Sequence, residues 1–188
     1  MGRWTREEYL VFSGQSEPDF TGGLNTRIRY KGFSVGANFS LLLGAKKRLP
    51  SPFKDDIKIP NSYTNLSREL SNRWKKSGDE KYTNIPAVYT GGEYIINLPD
   101  TMKESMYTMW EYSDIRVVDA SFLRCTQLSF SWNIDRKYLR HIGVNSLSIN
   151  ANVNNVFVIC SDKFRGFDPE LGNSVMPRTY SVGVSVGF

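Results

Sequence analysis

Acid–base and nucleophilic chemistry needs titratable side chains that can be held together, and this chain offers few of them. Its 188 residues include one histidine, His141, set among Arg136, Lys137 and Arg140 in "DRKYLRHIGV". A serine–histidine–aspartate site or a histidine-based metal site therefore has little to draw on. No CxxC pair and no phosphate-cradling glycine loop occurs. Asp55–Asp56, and Asp168 with Glu170, have the residue types for acid–base work, but solvated loop charges are the commoner role for such pairs. The reading is of a non-enzyme, with no cofactor and no metal expected. The candidates that remain are binding residues. In "GFDPE", Gly166 to Glu170, Pro169 fixes its own backbone and biases Asp168 towards an extended shape. A defined turn is expected there, with Asp168 and Glu170 as candidates for contact with a ligand or partner, and calcium with Asp162 as a further reading. Asn150, Asn152 and Asn154 recur at every second position and can hydrogen-bond a passing sugar or peptide, or simply a wet wall. Trp74 could stack on a sugar ring, although its spacing from Leu66 and Leu70 equally suits a helix packed onto the domain.

Such residues need elements to position them, and composition bounds what those can be. Twenty-four basic against 19 acidic residues give a net charge of +5, scattered along the chain, so a nucleic-acid stripe is not expected. With 40% hydrophobic and 13% aromatic residues, disorder is not expected either. The sequence lacks the long apolar run of a transmembrane helix, which says nothing against a barrel of short alternating strands. "MGRWTREEYLVF" has no apolar signal core; either the chain is cytoplasmic or Met1 is not the natural start.

Period-two alternation marks five segments, at about 21–31, 33–43, 121–134, 145–159 and 178–188. In "RTYSVGVSVGF", Tyr180, Val182, Val184, Val186 and Phe188 share one face; Ser181, Gly183, Ser185 and Gly187 share the other. Leu128, Phe130, Trp132 and Ile134 likewise oppose Gln127, Ser129, Ser131 and Asn133, and Arg27 and Arg29 fall on the polar face of the first segment. A tight turn at Lys31–Gly32 should join the first two strands. Between about 44 and 119 the alternation lapses, and "NLSRELSNRWKKSGD" reads as one short helix, capped by Asn65 and ended by Gly78. Pairing outward from a turn near 139–140 sets Cys125 opposite a residue near Asn154 and leaves Cys160 about 20 Å away, so two unpaired thiols are expected.

Connections run short, long, short, long, with the long ones at 44–119 and 160–177. Outer-membrane barrels sort their loops this way, with short periplasmic turns and long extracellular loops. The apolar faces are unbroken for several positions, the polar faces are rich in Ser, Asn, Gln, Arg and Gly, and aromatics such as Tyr180 and Phe188 sit near strand ends, where a membrane interface wants them. The fold class expected is all-β, a portion of a transmembrane barrel.

"RVVDASFLRCTQLSFSWNI", "SLSINANVNNVFVI", "FRGFDPELG" and "PRTYSVGVSVGF" resemble the C-terminal end of SusC/RagA-type TonB-dependent outer-membrane transporters. "EPDFTGGLNTRIRYKGFSVGANFS" and "RWKKSGDEKYTNIPAV" resemble earlier segments of the same region, so the likeness covers nearly the whole chain in order. The resemblance implies a barrel of about 22 strands with a plugged lumen, energised through TonB. It also implies a SusD-like surface lipoprotein as partner and import of glycans or oligopeptides. The closing octet is similar to the signal read by the barrel assembly machinery, with Ser181 as the polar position, Gly183 the glycine, Val186 the penultimate hydrophobic position and Phe188 the terminal aromatic. Val186 departs from the pattern, where an aromatic is commoner. The chain departs further in holding about five strands and no plug domain or TonB box, as a C-terminal fragment would. Bacterial outer-membrane localisation and contact with lipid follow. Two other readings stay open: a soluble β-sandwich carbohydrate-binding module using Trp74, Trp110 and tyrosines, and a non-functional truncated gene remnant.

Overall fold

The computed structural model describes residues 10–53, 63, 65–88, 95–97 and 103–188; Asp55 and Asp56 lie outside them. Its strands are β1 (Phe20–Tyr30), β2 (Phe33–Leu43), β3 (Lys46–Arg48), β4 (Ile95–Asn97), β5 (Lys103–Ser105), β6 (Val117–Asp119), β7 (Phe122–Ile134), β8 (Ser146–Cys160) and β9 (Thr179–Gly187). The chain divides into two compact units, one formed by 1–13 with 48–118 and one by 14–47 with 119–188.

The second unit is a five-stranded antiparallel sheet in the order β1-β2-β7-β8-β9, open among the described residues. Alternation fixes its register, because a slip of one residue would move every apolar side chain to the other face. One row across the sheet reads Ile28, Val35, Phe130, Ala151, Val182, and the next reads Tyr30, Phe33, Trp132, Ile149, Val184. Between them runs Arg29, Ser34, Ser131, Asn150, Gly183. The turn joining β1 to β2 has φ of 42° at Lys31 and 84° at Gly32, the two positive values a two-residue hairpin of matching twist demands.

Among the described residues the two apolar rows hold no buried side chain, and they are most exposed on the edge strands β1 and β9. Ile28 is 75% exposed, Val182 76% and Val184 62%. A sandwich would bury these side chains, so their exposure favours a lipid-facing sheet over that alternative.

Phase breaks once. Between β2 and β7 the register shifts after Asn38, and between β7 and β8 it shifts between Cys125 and Gln127. Asn155 sits opposite the irregularity with a left-handed φ of 55°. Cys125 therefore pairs with Phe157 rather than with a residue near Asn154, and Cys160 pairs with Phe122. Both cysteines are free.

The first unit gathers around Leu70, Ile85 and Trp110, with Phe53 packed against them. Phe53 meets Tyr107 at 4.6 Å and Trp110 edge-on at 5.7 Å. The single helix expected from Asn65 to Gly78 is instead two separate 3-10 turns, Arg68–Asn72 and Asp79–Lys81. Ser67, not Asn65, caps the first by accepting from the Glu69 N–H, and Gly78, at φ 101°, opens the second rather than ending the first. Among the described residues of this unit the α-helix is α1 (Met106–Tyr112), within the stretch where the alternation lapses. A second, α2 (Arg136–Leu139), fills the β7–β8 connection of the sheet unit.

Near the sheet, Asp119 is held by the Ser121 hydroxyl, by Lys46 Nζ at 2.9 Å and by the Ser121 N–H at 2.8 Å, which lower its pKa from 3.8 to about 2. A depressed carboxylate contributes stability above its unfolded value and loses it as pH falls through its folded value. The contribution is therefore present above about pH 4 and gone below about pH 2. Because Asp119 is half exposed, screening holds it to roughly 1 kcal/mol or less. Asp119→Asn should flatten the acid limb of an unfolding-versus-pH curve by that amount and lower stability by the same constant amount above about pH 5.

Candidate functional site

The polar face of the sheet forms a shallow groove of about 460 Å³, lined among others by Arg27, Arg29, Ser34, Ser131, Asn150 and Asn152. Strand pairing builds it. Asn150 lies opposite Ser131 and Gly183, Asn152 opposite Ser129 and Ser181, and Asn154 opposite Gln127 and Thr179. The three asparagines thus stand in one column, flanked by small polar side chains that leave their amides accessible. Asn38 Nδ2 donates to Gln127 Oε1 at 3.0 Å, and Ser129 Oγ donates to the Gly36 carbonyl at 3.3 Å. A side chain at Gly36 would come within 2.8 Å of that hydroxyl, so glycine keeps the wall flat there. Such a wall can exchange hydrogen bonds with a polar, uncharged solute.

Asp168 and Glu170 do come together, but around a protein partner. Arg124 Nη2 bonds both Asp168 oxygens, at 2.9 and 2.8 Å, and Glu170 Oε2 at 2.6 Å. Its Nη1 lies 2.8 Å from Met176 Sδ, and its guanidinium sits 5.0 Å from the Phe122 ring centroid. Asp168 Oδ1 also accepts the Glu170 N–H at 2.9 Å, while Lys47 Nζ donates to the Pro169 and Glu170 carbonyls. Phe164 and Pro169 are fully buried beneath. Asp168 is 3% exposed, so the carboxylate proposed from sequence as a contact residue is occupied within the loop, and Glu170, half exposed, keeps the outer position.

Sequence reasoning did not single out Arg124. It stands in "FLRCTQ", where the apolar alternation of β7 loses phase, and the bulge there sets Arg124 opposite Ser40 and Val158. A bulge re-aims a side chain in this way. The signal available in the sequence was that break in phase beside a lone arginine.

Trp74 belongs to the other unit. Its indole N–H donates to Glu80 Oε2 at 3.2 Å and its backbone N–H to the Ile85 carbonyl at 2.9 Å. Glu80 is held below the usual carboxylate range by its own backbone N–H, then by Trp74 and by the Gly78 N–H. Just over a third of Trp74 is exposed, enough to leave part of the ring available. Ser181, Gly183 and Val186 lie in β9, paired with Asn152, Asn150 and Leu147, and Phe188 follows it, exposed.

No protein-family model matches the chain. TonB-dependent receptor P39 of Formosa agariphila is 27% identical over 161 residues, spanning 85% of this chain and 14% of that protein. TonB-dependent receptor P3 of the same organism is 22% identical over 157 residues, 84% of this chain and 13% of that protein. The chain thus spans about a seventh of these curated relatives. Among solved structures, a RagAB peptide transporter aligns over 100% of this chain and 19% of its own, with TM-score 0.64 and 19% identity. The RagAB peptide importer in its open-open state aligns over the same shares with TM-score 0.62 and 18% identity. These relatives are receptors and transporters rather than enzymes. By sequence the chain is similar to TonB-dependent receptors over most of its length, and by fold it matches a segment of the RagAB peptide transporter.

Proposed function

We propose that this chain forms the C-terminal wall of a TonB-dependent outer-membrane importer that takes up oligopeptides or glycans with a SusD-like surface lipoprotein. The observation that carries the reading is the two-faced sheet: unbroken apolar rows on one side, none of their side chains buried among the described residues, and serine and asparagine rows on the other. An open sheet strands its edge hydrogen bonds in lipid, so the segment works only as part of a closed barrel. In that setting the asparagine column lines the water-filled lumen, and Trp74 and Glu170 stand on the outer loops, where ligand and lipoprotein would arrive. TonB would act through a region of the protein outside this segment, and β9 with Phe188 would be read by the barrel assembly machinery.

Thiol labelling in outer membranes tests the two faces, using a Cys160→Ser background because Cys125 is buried. Val182→Cys should react with a lipid-soluble maleimide and resist a membrane-impermeant one, while Asn152→Cys should react with the impermeant reagent from the aqueous side. A water-soluble protein whose Val182→Cys thiol reacts freely in buffer would overturn the proposal and restore the soluble binding module.

A further inference from the structure

The short-turn end of the sheet carries chemistry that import does not use. The Lys31–Gly32 turn and the β7–β8 connection hold Lys31, Arg136, Lys137, Arg140 and the lone His141 against a single carboxylate, Asp135. That carboxylate reaches Lys137 only at 3.7 Å, with both side chains well exposed. Leu139, 3% exposed, anchors α2, so these charges stand on a fixed turn. Arg136 is engaged with a neutral group, Asn145 Oδ1, at 3.0 Å.

Aromatic rings adjoin this basic rim. Lys31 Nζ lies 5.2 Å from the Tyr30 ring centroid, and Lys137 Nζ 4.8 Å from that of Tyr138; both tyrosines are two-thirds exposed. Tyr30 is also the first member of the apolar row that continues through Phe33 and Trp132, whose rings stack at 5.1 Å and 8°. The ammonium of Lys31 is thus set at the margin of the face that meets acyl chains. Among the described residues no hydrogen bond or ion pair takes the Lys31 ammonium besides this ring contact.

We propose that this rim binds the phosphate head group of an anionic phospholipid in the leaflet on the short-turn side, with Lys31 and Tyr30 at its centre and Lys137 and Arg140 as flanking cations. The occupant follows from charge complementarity and from continuity with the exposed apolar rows: a ligand here needs a negative head and an oily tail side by side. A soluble anion would have no use for the aromatic margin. The inference rests on the membrane placement of the sheet, and the experiment separates the two.

The intact outer-membrane protein carrying this segment is reconstituted into phosphatidylcholine bilayers containing spin-labelled phosphatidylglycerol or spin-labelled phosphatidylcholine. The motionally restricted lipid fraction should be larger for the anionic label, and the preference should fall roughly two- to fivefold for each cation removed by Lys31→Gln, Lys137→Gln or Arg140→Gln, in line with the strength of a single basic residue near a charged leaflet. Raised salt should weaken it, and inorganic phosphate at millimolar levels should not compete. Equal restriction of both labels by the native protein, or an unchanged preference in the three neutral variants, would overturn the proposal. Competition by inorganic phosphate would overturn it in favour of a soluble-anion site. Absence of any restricted lipid would instead overturn the membrane placement itself. Heat-modifiable migration confirms insertion of each variant, and the neutral substitutions, at exposed positions, carry the test without a charge reversal that could block assembly.

Discussion

Arg124→Ala should destabilise the protein by about 3–5 kcal/mol, the effect of removing one partner from a buried ion pair. Arg124 and Asp168 are 5% and 3% exposed at the side chain, so neither can turn to water when the other is lost. Asp168 would keep its backbone donors from Glu170 and Leu171 but would stand as a buried charge without its cation. Glu170→Gln, at the half-exposed outer position, should cost under about 1 kcal/mol. The paired replacement Arg124→Leu with Asp168→Leu should cost less than Arg124→Ala alone, because an apolar pair removes both desolvation penalties together. Urea unfolding in detergent, read by loss of heat-modifiable migration, gives all three values. A neutral Arg124→Ala would mean that the loop's hold comes from Phe164 and Pro169 and from the Lys47 bonds, and not from the ion pair. Protease sensitivity gives a local readout: cleavage after Arg165 should accelerate in Arg124→Ala and remain slow in Glu170→Gln.

That clamp also shows where the sequence stops being readable. Strands β1, β2, β7, β8 and β9 were legible because each puts one chemical type on each face, and a period of two survives in any local window. Val182, Val184 and Val186 announce β9 without any knowledge of β8. The asparagine column was legible for the same reason, at every second position of one strand. The Arg124–Asp168 pair spans 44 positions and depends on an irregularity that one strand alone does not define. Local pattern named Asp168 and could not name what it would meet. In the other unit, Leu66, Leu70 and Trp74 have helical spacing, yet only Leu70 is buried, because Ser67 caps a shorter turn that the chain leaves at Arg73. Spacing permits a helix, and here tertiary packing around Ile85 and Trp110 chose two tight turns instead.

Ala151→Arg and Asn152→Arg place the same charge on neighbouring residues of one strand, and the barrel reading predicts very different outcomes. Ala151 lies in the row with Ile28, Val35, Phe130 and Val182, and a cation there meets hydrocarbon. Near the bilayer midplane that costs about 2–4 kcal/mol. Asn152 lies between Ser129 and Ser181 on the polar face, where the guanidinium stays hydrated and the cost should be under about 1 kcal/mol, raised slightly by Arg27 across the same row. Alanine is the right site for the apolar arm because its replacement removes almost no packing, so the measured loss reports transfer of charge and not a cavity. Unfolding in lipid bilayers at two thicknesses sharpens the comparison. The cost at 151 should shrink in the thinner bilayer, where the side chain snorkels to an interface, while the value at 152 should not move. Equal costs at both positions, insensitive to thickness, would mean that the two faces meet the same solvent, and the assignment of lipid to one side and water to the other would fail at its centre.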